Sequence, residues 1–390
     1  MLLQTQLQAE FGDALEFLST ENSIVDGVLP QTFVAPRDEE SARLLMQFCG
    51  REKLALIATG NATKLHIGAP PTRFDVGVST RHLNQIFDHD AGNATVEAGA
   101  GIALSDLNAA VEGANQFVPL DDDGGSLGGA IACNAFGPSK GKWGAPRDLV
   151  VGLHAMLSDG RHVKGGAKVV KNVAGYDLPK LFVGSFGSLG LITRVTIRLR
   201  PDDAASADWS ERFDSLGELQ ARADAIMNGP FEPTLLCASW HGESWRLSAR
   251  FEGGEKAVVA QLKRLPDAVE TDEMLMPTAL WQLRAQLPLT RAADWLRAAQ
   301  NEGAVSLDWD AGLGIARASF GECSPSIVAK LRALADEDGG YLRVERAPVE
   351  QKTPTLIWGE PRADASLMRG LKAAYDAANV CSVGRFVGGM

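Results

Sequence analysis

The chain has no CxxC pair. Its five cysteines, Cys49, Cys133, Cys237, Cys323 and Cys381, lie far apart, which excludes a zinc or iron–sulfur cluster built from this chain alone. Their odd number and apolar surroundings read as reduced, buried thiols. Nowhere do Lys and Arg gather densely enough to track phosphates, and a formal charge of −11 with a pI near 5.1 argues against nucleic acid as a partner. No apolar stretch approaches the length of a membrane span. The N-terminal MLLQTQLQAEFGDALEF lacks a basic start and carries charge too early for a signal peptide, so a cytoplasmic chain is expected. The GxxxxGK-Ser/Thr phosphate loop is absent. Gly99 and Gly101 begin a GxG, but Leu104 stands where a dinucleotide fingerprint has its third glycine. Leu104, Leu107 and Val111 are spaced as the buried face of a helix, so a structural turn explains the glycine pair better. The histidines are His66, His82, His89, His154, His162 and His241, and none follows His241.

Glycine is what the chain has in excess, 41 residues of 390. The rest is an ordinary globular composition, 45% hydrophobic and 22% charged, with length enough for two domains. The glycines concentrate between Gly124 and Gly144, in GGSLGGAIACNAFGPSKGKWG. Gly124, Gly125, Gly128 and Gly129 remove side chains where a ligand or another strand must approach, and they permit positive φ values that turn successive N–H groups toward one point. A concave donor array of that kind suits a diphosphate. A close crossing of two packed strands is the alternative.

Earlier in the chain, Thr32–Ala35 reads as a short strand, and Pro36, Arg37 and Asp38 open a helix. Glu39 and Glu40 fall in its first turn, with Ala42, Leu45, Met46 and Cys49 at helical spacing. Leu54–Ala58 is an apolar strand that ends in the polar loop TGNATK. In a strand–helix–strand unit that loop lies at the carboxyl edge of the second strand, where ligands bind. Thr59, Asn61 and Thr63 offer side-chain donors there and Lys64 a positive charge; a plain turn is the other reading. Phe74–Val78 and Ala94–Ala98 are further strands. Asp148–Ser158 leads through Asp159-Gly160 into a hairpin. Leu191–Leu199 alternates, with Leu191, Thr193, Val195, Ile197 and Leu199 on one face, while Arg194, Arg198 and Arg200 point the other way.

From Ala204 the texture changes. Trp209, Trp240, Trp245, Trp281, Trp295 and Trp309 are scattered among short charged helices. Leu235–Trp240 and Trp245–Phe251 suggest a hairpin followed by a helix over 255–265. Val305–Trp309, Gly314–Phe320, a helix over 326–336 and a strand over 341–345 repeat the pattern, giving a small antiparallel sheet backed by helices. A final helix is expected over 367–375. The tryptophans read as core residues, with a partner surface as the alternative.

The succession TGNATKL, FVPLDDDGGSLGGAIACNAFGP, WGAPRDLVVG, DGRHVKGGAKVVKNVAGYDLPKL and GSFGSLGLITRVTIRL resembles the PCMH-type FAD-binding domain of the vanillyl-alcohol-oxidase and cholesterol-oxidase-like flavoproteins. The resemblance covers about the first half of the chain. Within that superfamily, NAFGP, RDLVVG, VVKNVAGYDL and the terminal VGRFVGG are most similar to the FAD-binding subunits of bacterial glycolate oxidases. The resemblance implies an α+β chain in three parts. Residues 1–203 would be an FAD-binding domain of two α/β subdomains clasping an extended FAD. Residues 204–375 would be a smaller cap-like domain, and 376–390 a tail returning to the FAD domain.

Carried over by position, Thr59, Gly60, Asn61, Ala62, Thr63 and Lys64, with Ser126, Leu127, Gly128 and Gly129, would hold the pyrophosphate. Leu120 would lie beside the cofactor. Asn134 and Gly137 would line the flavin–ribityl side, and Gly190 with Ile192 would reach the adenine end. Relatives with covalent flavin place a histidine in the first loop; Ala62 and Thr63 stand there, so non-covalent FAD is implied, with His66 an ordinary loop or core residue. Tyr176 and Asp177 read as structural. Relatives also carry Asn-Pro before the terminal Gly-Arg, where this chain has Ser382 and Val383. Arg385 is then either a charge beside the reduced ring or a surface arginine.

Hydroxyacid dehydrogenases of this superfamily share a His-x-Gly-Asp-Gly-Asn-x-His segment in the cap, which is missing here. Oxidising an alcohol carbon needs a base for the hydroxyl proton. His241, Asp308 and Asp310 are the candidates, although His241 reads as a turn residue and the two aspartates as part of a solvated strand. The resemblance therefore implies an FAD-carrying subunit of a multi-subunit glycolate (2-hydroxyacid) oxidase. Its partners would be a separate catalytic flavosubunit and an iron–sulfur subunit, which would bring the cytoplasmic chain to the inner membrane peripherally. A self-sufficient flavin oxidoreductase acting on a small 2-hydroxyacid is the alternative, and a scaffold without cofactor a third.

Overall fold

The computed structural model describes residues 2–166, 177–202, 205–266, 279–337 and 339–390; Tyr176 lies outside them. In the first sheet, Leu15–Leu18, Thr32–Pro36, Val76–Ser79 and Leu56–Thr59 lie side by side in that order, the last three parallel. The helix Glu39–Glu52 starts where the sequence places it. Asp38 Oδ1 accepts from the Ser41 N–H at 2.7 Å, and Ser41 Oγ accepts from the Asp38 N–H at 3.1 Å. This reciprocal cap stabilises the helix by about 1 kcal/mol. Ala42, Leu45, Met46 and Cys49 form its fully buried face.

The second sheet is antiparallel, in the order Ile86–Asp90, Thr95–Gly99, Leu191–Arg198, Val150–Met156, His162–Gly166. The alternation of Leu191–Arg198 predicts one wet face, and here the structure differs. This is the middle strand, with the helix Glu39–Glu52 and the helix Leu127–Cys133 both packed against it. Ile192 and Thr196 are buried along with Val195 and Ile197. Arg194 is drawn in by ion pairs to Glu39 and, at 3.2 Å, to Glu97, so only Arg198 is exposed.

Among the described residues, the second half forms one continuous antiparallel sheet of seven strands, larger than the small sheet expected. Its order is Ala205–Phe213, Trp245–Gly253, Leu235–Trp240, Ser306–Asp310, Ile315–Phe320, Trp281–Gln286, Tyr341–Arg346. The additional strands, Ala205–Phe213 and Trp281–Gln286, each run into a helix, Leu216–Met227 and Ala292–Asn301, so each half reads strand, helix, strand, strand, helix. Trp209, Trp245, Trp281, Trp295 and Trp309 are all core residues on the helix-covered face. The other face is polar and turns toward the first half, where the Arg284 guanidinium lies 4.8 Å from the Phe136 ring centre.

After the helix Ala365–Tyr375 the chain comes back to the first sheet. Leu56 N–H donates to Val380 O at 2.7 Å and Ser382 N–H to Leu56 O at 2.8 Å, which sets the tail along the Leu56–Thr59 edge. Buried Asp376 anchors the turn by accepting from Lys372 Nζ at 2.6 Å and from the N–H groups of Val380 and Cys381.

Candidate functional site

Strand Leu56–Thr59 runs directly into the loop 60–64. The backbone N–H groups of Gly60, Asn61, Ala62, Thr63 and Lys64 have no acceptor among the described residues. Ala62 sits at φ +60°, so the donors turn through a left-handed residue and form a concave anion nest. Lys64 adds a positive charge, held 3.1 Å from Thr63 Oγ1 and 2.5 Å from Asp123. Asn61 Nδ2 donates to Gly124 O at 2.9 Å and ties the loop to the glycine-rich segment.

That segment matches the predicted donor array only in part. Of Gly124, Gly125, Gly128 and Gly129, only Gly124 has a positive φ, +75°. Several of the following N–H groups are already engaged, Leu127 donating to Ile102 O at 2.9 Å, Gly128 to Ala100 O at 2.7 Å and Gly129 to the Ser126 hydroxyl at 3.3 Å, while those of Gly125 and Ser126 have no acceptor among the described residues. A Cβ on Gly128 would lie 2.7 Å from that of Ala100, and one on Gly60 would lie 1.8 Å from Ser126 Oγ. Gly60 and Gly128 therefore serve close crossing, and the free donors are those of the preceding loop together with Gly125 and Ser126.

Between the two sheets runs a cleft walled by Thr59 to Lys64, Ser126, Gly128, Gly129, Gly190, Ile192 and Arg385, so most of the expected residues are brought together. Asn134 and Gly137 line a second, adjoining cavity. Leu120 and Leu127 sit in the hydrophobic core behind the walls. Asn134 adopts φ +46° and buries an Oδ1 with no partner among the described residues.

Arg385 is buried, which removes the surface reading. Its Nη2 donates to Leu65 O at 2.7 Å and Ile67 O at 2.9 Å, so the tail clamps the loop that follows the nest. Its Nη1 is buried with no hydrogen-bond acceptor among the described residues, 4.0 Å from Asp26, and burial lowers its pKa. A guanidinium nitrogen on the wall without a hydrogen-bond acceptor and a row of free N–H groups at the edge together suit an elongated anionic ligand with a diphosphate.

The second cavity, ≈ 680 Å³, shares Thr63, Lys64, Ile67, Cys133 and Phe186 with the cleft and opens against the polar face of the seven-stranded sheet. Arg284, Arg317, Tyr341, Arg343 and Glu345 supply that wall, and His66 the opposite one. His66 is thus a cavity residue, and burial, with Arg346 nearby, lowers its pKa to about 4, which keeps the imidazole neutral.

The proposed bases fall elsewhere. His241, Asp308 and Asp310 line neither cavity. The strand carrying the aspartates is interior, between two neighbours, which corrects the solvated-strand expectation. Asp310 is buried and accepts from Arg317 Nη1 at 3.0 Å, while burial raises Asp308 to about 6. Asp177 lies at the surface, paired with Lys180 at 2.6 Å, as a structural residue would. Sequence reasoning missed the cap arginines. Their signal was an arginine on the polar face of each of WQLRAQ, IARASF and YLRVER, namely Arg284, Arg317 and Arg343.

Comparison with known proteins completes the picture. Residues 30–166 match the FAD binding domain family model. The glycolate oxidase subunit GlcD of Bacillus subtilis is 26% identical over an alignment covering 92% of this chain and 89% of that protein. The subunit GlcE of Escherichia coli is 31% identical over 54% of this chain and 59% of its own length, so the comparisons support a glycolate oxidase subunit but do not single out which one. A D-lactate dehydrogenase of Archaeoglobus fulgidus is 36% identical over 43% of this chain and 38% of its own. A solved alkyldihydroxyacetonephosphate synthase superposes with a TM-score of 0.73 at 14% identity, covering 98% of this chain and 84% of that one, a likeness of fold. The free donors and buried guanidinium of the cleft fit the cofactor that the matched model names. The chain is an α+β FAD-dependent oxidoreductase whose residues 30–166 match an FAD-binding domain.

Proposed function

We propose that the chain is an FAD-carrying subunit of a multi-subunit 2-hydroxyacid oxidase of the glycolate type, working with a separate catalytic flavosubunit and an iron–sulfur subunit. Residues 1–203 hold the cofactor, 204–375 form the cap, and 376–390 close the site. The observation that carries the reading is the make-up of the cap. No histidine follows His241, and the cap wall of the cavity beside the cleft presents arginines where hydride-forming chemistry on an alcohol needs a base. The likeness to two glycolate oxidase subunits supports the choice of complex.

Within this reading the N–H groups of residues 60–64 and the charge of Lys64 bind the diphosphate. Gly190 and Ile192 wall the adenine end, and Asn134 and Gly137 the ribityl side. Arg385 Nη1 holds positive charge against the ring. Bound FAD supplies a two-electron acceptor. With Ala62 and Thr63 in the first loop, attachment is non-covalent. The cap and tail exclude water by closing Phe186, Trp358 and Phe386 into one aromatic cluster, with ring centres 5.0–5.7 Å apart.

The alternative, a self-sufficient hydroxyacid oxidoreductase, is favoured by one observation: neutral His66 on the cavity wall could accept a proton. Co-purification from the native source, followed by glycolate turnover assayed for the chain alone and for the reassembled subunits, separates the two. Activity only in the assembly supports the subunit reading; equal activity of the chain alone rejects it.

A further inference from the structure

Three arginines stand in a row across the cap sheet. Arg317 is the direct cross-strand partner of Arg284, and Arg284 that of Arg343, so strands Ile315–Phe320, Trp281–Gln286 and Tyr341–Arg346 present like charges at one level. Direct cross-strand partners hold their Cβ atoms about 4.5–5.5 Å apart, and like charges in that position repel. Water screens the repulsion little at the centre of the row, where Arg284 is 5% exposed. We propose that the row Arg317–Arg284–Arg343 is the receptor for the carboxylate of a small organic acid, held in the second cavity beside the FAD cleft. The inference rests on the reading of that cavity as the ligand chamber of the flavoprotein.

The groups around the row satisfy it only in part. Glu345 pairs with Arg343 and lies 4.0 Å from Arg284 Nε; Asp310 takes one nitrogen of Arg317. Arg284 Nη1 donates to the Tyr341 hydroxyl at 3.3 Å. Arg343 Nε is buried with no partner among the described residues. Two of the acids on the facing wall are engaged elsewhere: Asp121 accepts from Gly137 N–H and the Ser139 hydroxyl, both at 2.7 Å, and Asp123 holds Lys64. Aromatic rings shield the row, with Phe136 4.8 Å from Arg284 and Trp358 5.8 Å from Arg343. A planar two-oxygen anion matches guanidinium forks held side by side, and a buried site of this kind discriminates strongly against a neutral isostere.

The test uses the full-length FAD-loaded chain. Oxalate, glycolate, glycolamide and inorganic phosphate are titrated by calorimetry, with the visible difference spectrum as a second readout. Oxalate and glycolate should bind, with glycolamide and phosphate at least tenfold weaker. Arg284→Gln and Arg343→Gln should each weaken oxalate at least tenfold with FAD content unchanged. Arg284→Lys and Arg343→Lys keep the charge but lose the fork, and should weaken oxalate too; they stand in if the glutamine variants fail to fold. Glycolamide or phosphate binding as tightly as oxalate, an unchanged affinity in the variants, or no binding to the wild type overturns the proposal. Calorimetry reads the site whether or not glycolate is oxidised. Turnover by the chain alone would reject the subunit reading and leave the arginine site standing.

Discussion

Lys352 reaches from the second half of the chain into the first and donates to Asp26 Oδ1 at 2.5 Å, with both side chains almost wholly out of water. Its Nζ also donates to His66 O at 2.8 Å. Removing the ammonium strands a buried carboxylate, which in such pairs costs about 3–5 kcal/mol. Lys352→Met should therefore lower the melting temperature sharply and loosen the cap. A loss of less than about 1 kcal/mol, the range of a single hydrogen bond, would mean that Arg385 alone balances Asp26.

Gly60 tests the nest. A Cβ there would lie 1.8 Å from Ser126 Oγ and 2.6 Å from Ser126 Cβ, and Ser126 is held in place as the cap of the helix Leu127–Cys133. Gly60→Ala must push apart the two segments that wall the cleft. FAD affinity, read by quenching of flavin fluorescence, should fall at least tenfold, about 1.4 kcal/mol. An unchanged affinity would move the diphosphate away from this loop.

Asp376 gives a pH signature. Burial raises its pKa, but Lys372 and the Cys381 N–H outweigh burial and hold it below the ordinary carboxylate range. A depressed folded value means that the stabilisation is present above the unfolded pKa and is lost as pH falls through the folded one. Asp376→Asn should lower stability near neutrality and flatten its decline in acid, as followed by melting temperature against pH. A variant with the wild-type acid profile would contradict this.

His66 and His154 act in a higher window. Burial lowers each from 6.5 to about 4. Between those values the unfolded chain binds more protons than the folded one, so stability rises with pH across the window and falls as pH drops from 6.5 toward 4. The double variant His66→Gln, His154→Gln should show a shallower fall than wild type over that interval. An equal slope would place the acid sensitivity in other groups.

Much of this was legible in the sequence because the signals were local. Asp38 and Ser41 announce their helix, the polar loop after Leu56–Thr59 announces the nest, and the ordered glycine motifs announce the cofactor. What was hidden depended on neighbours distant in sequence. Leu191–Arg198 reads as half-exposed until both covering helices are in place. Gly128 and Gly129 of the central segment look like donors to a ligand until Ala100 O and the Ser126 hydroxyl take up their N–H groups. The cap arginines Arg284, Arg317 and Arg343 lie on three strands with helices and loops between them in the chain, and only the strand order sets them side by side.

The most direct measurement is a visible spectrum of the purified chain alone, followed by anaerobic addition of glycolate and then D-lactate. The account predicts bound flavin that stays oxidised with both acids and is reduced only when partner subunits are present. Bleaching by either acid in the isolated chain would contradict it and make the chain an autonomous enzyme.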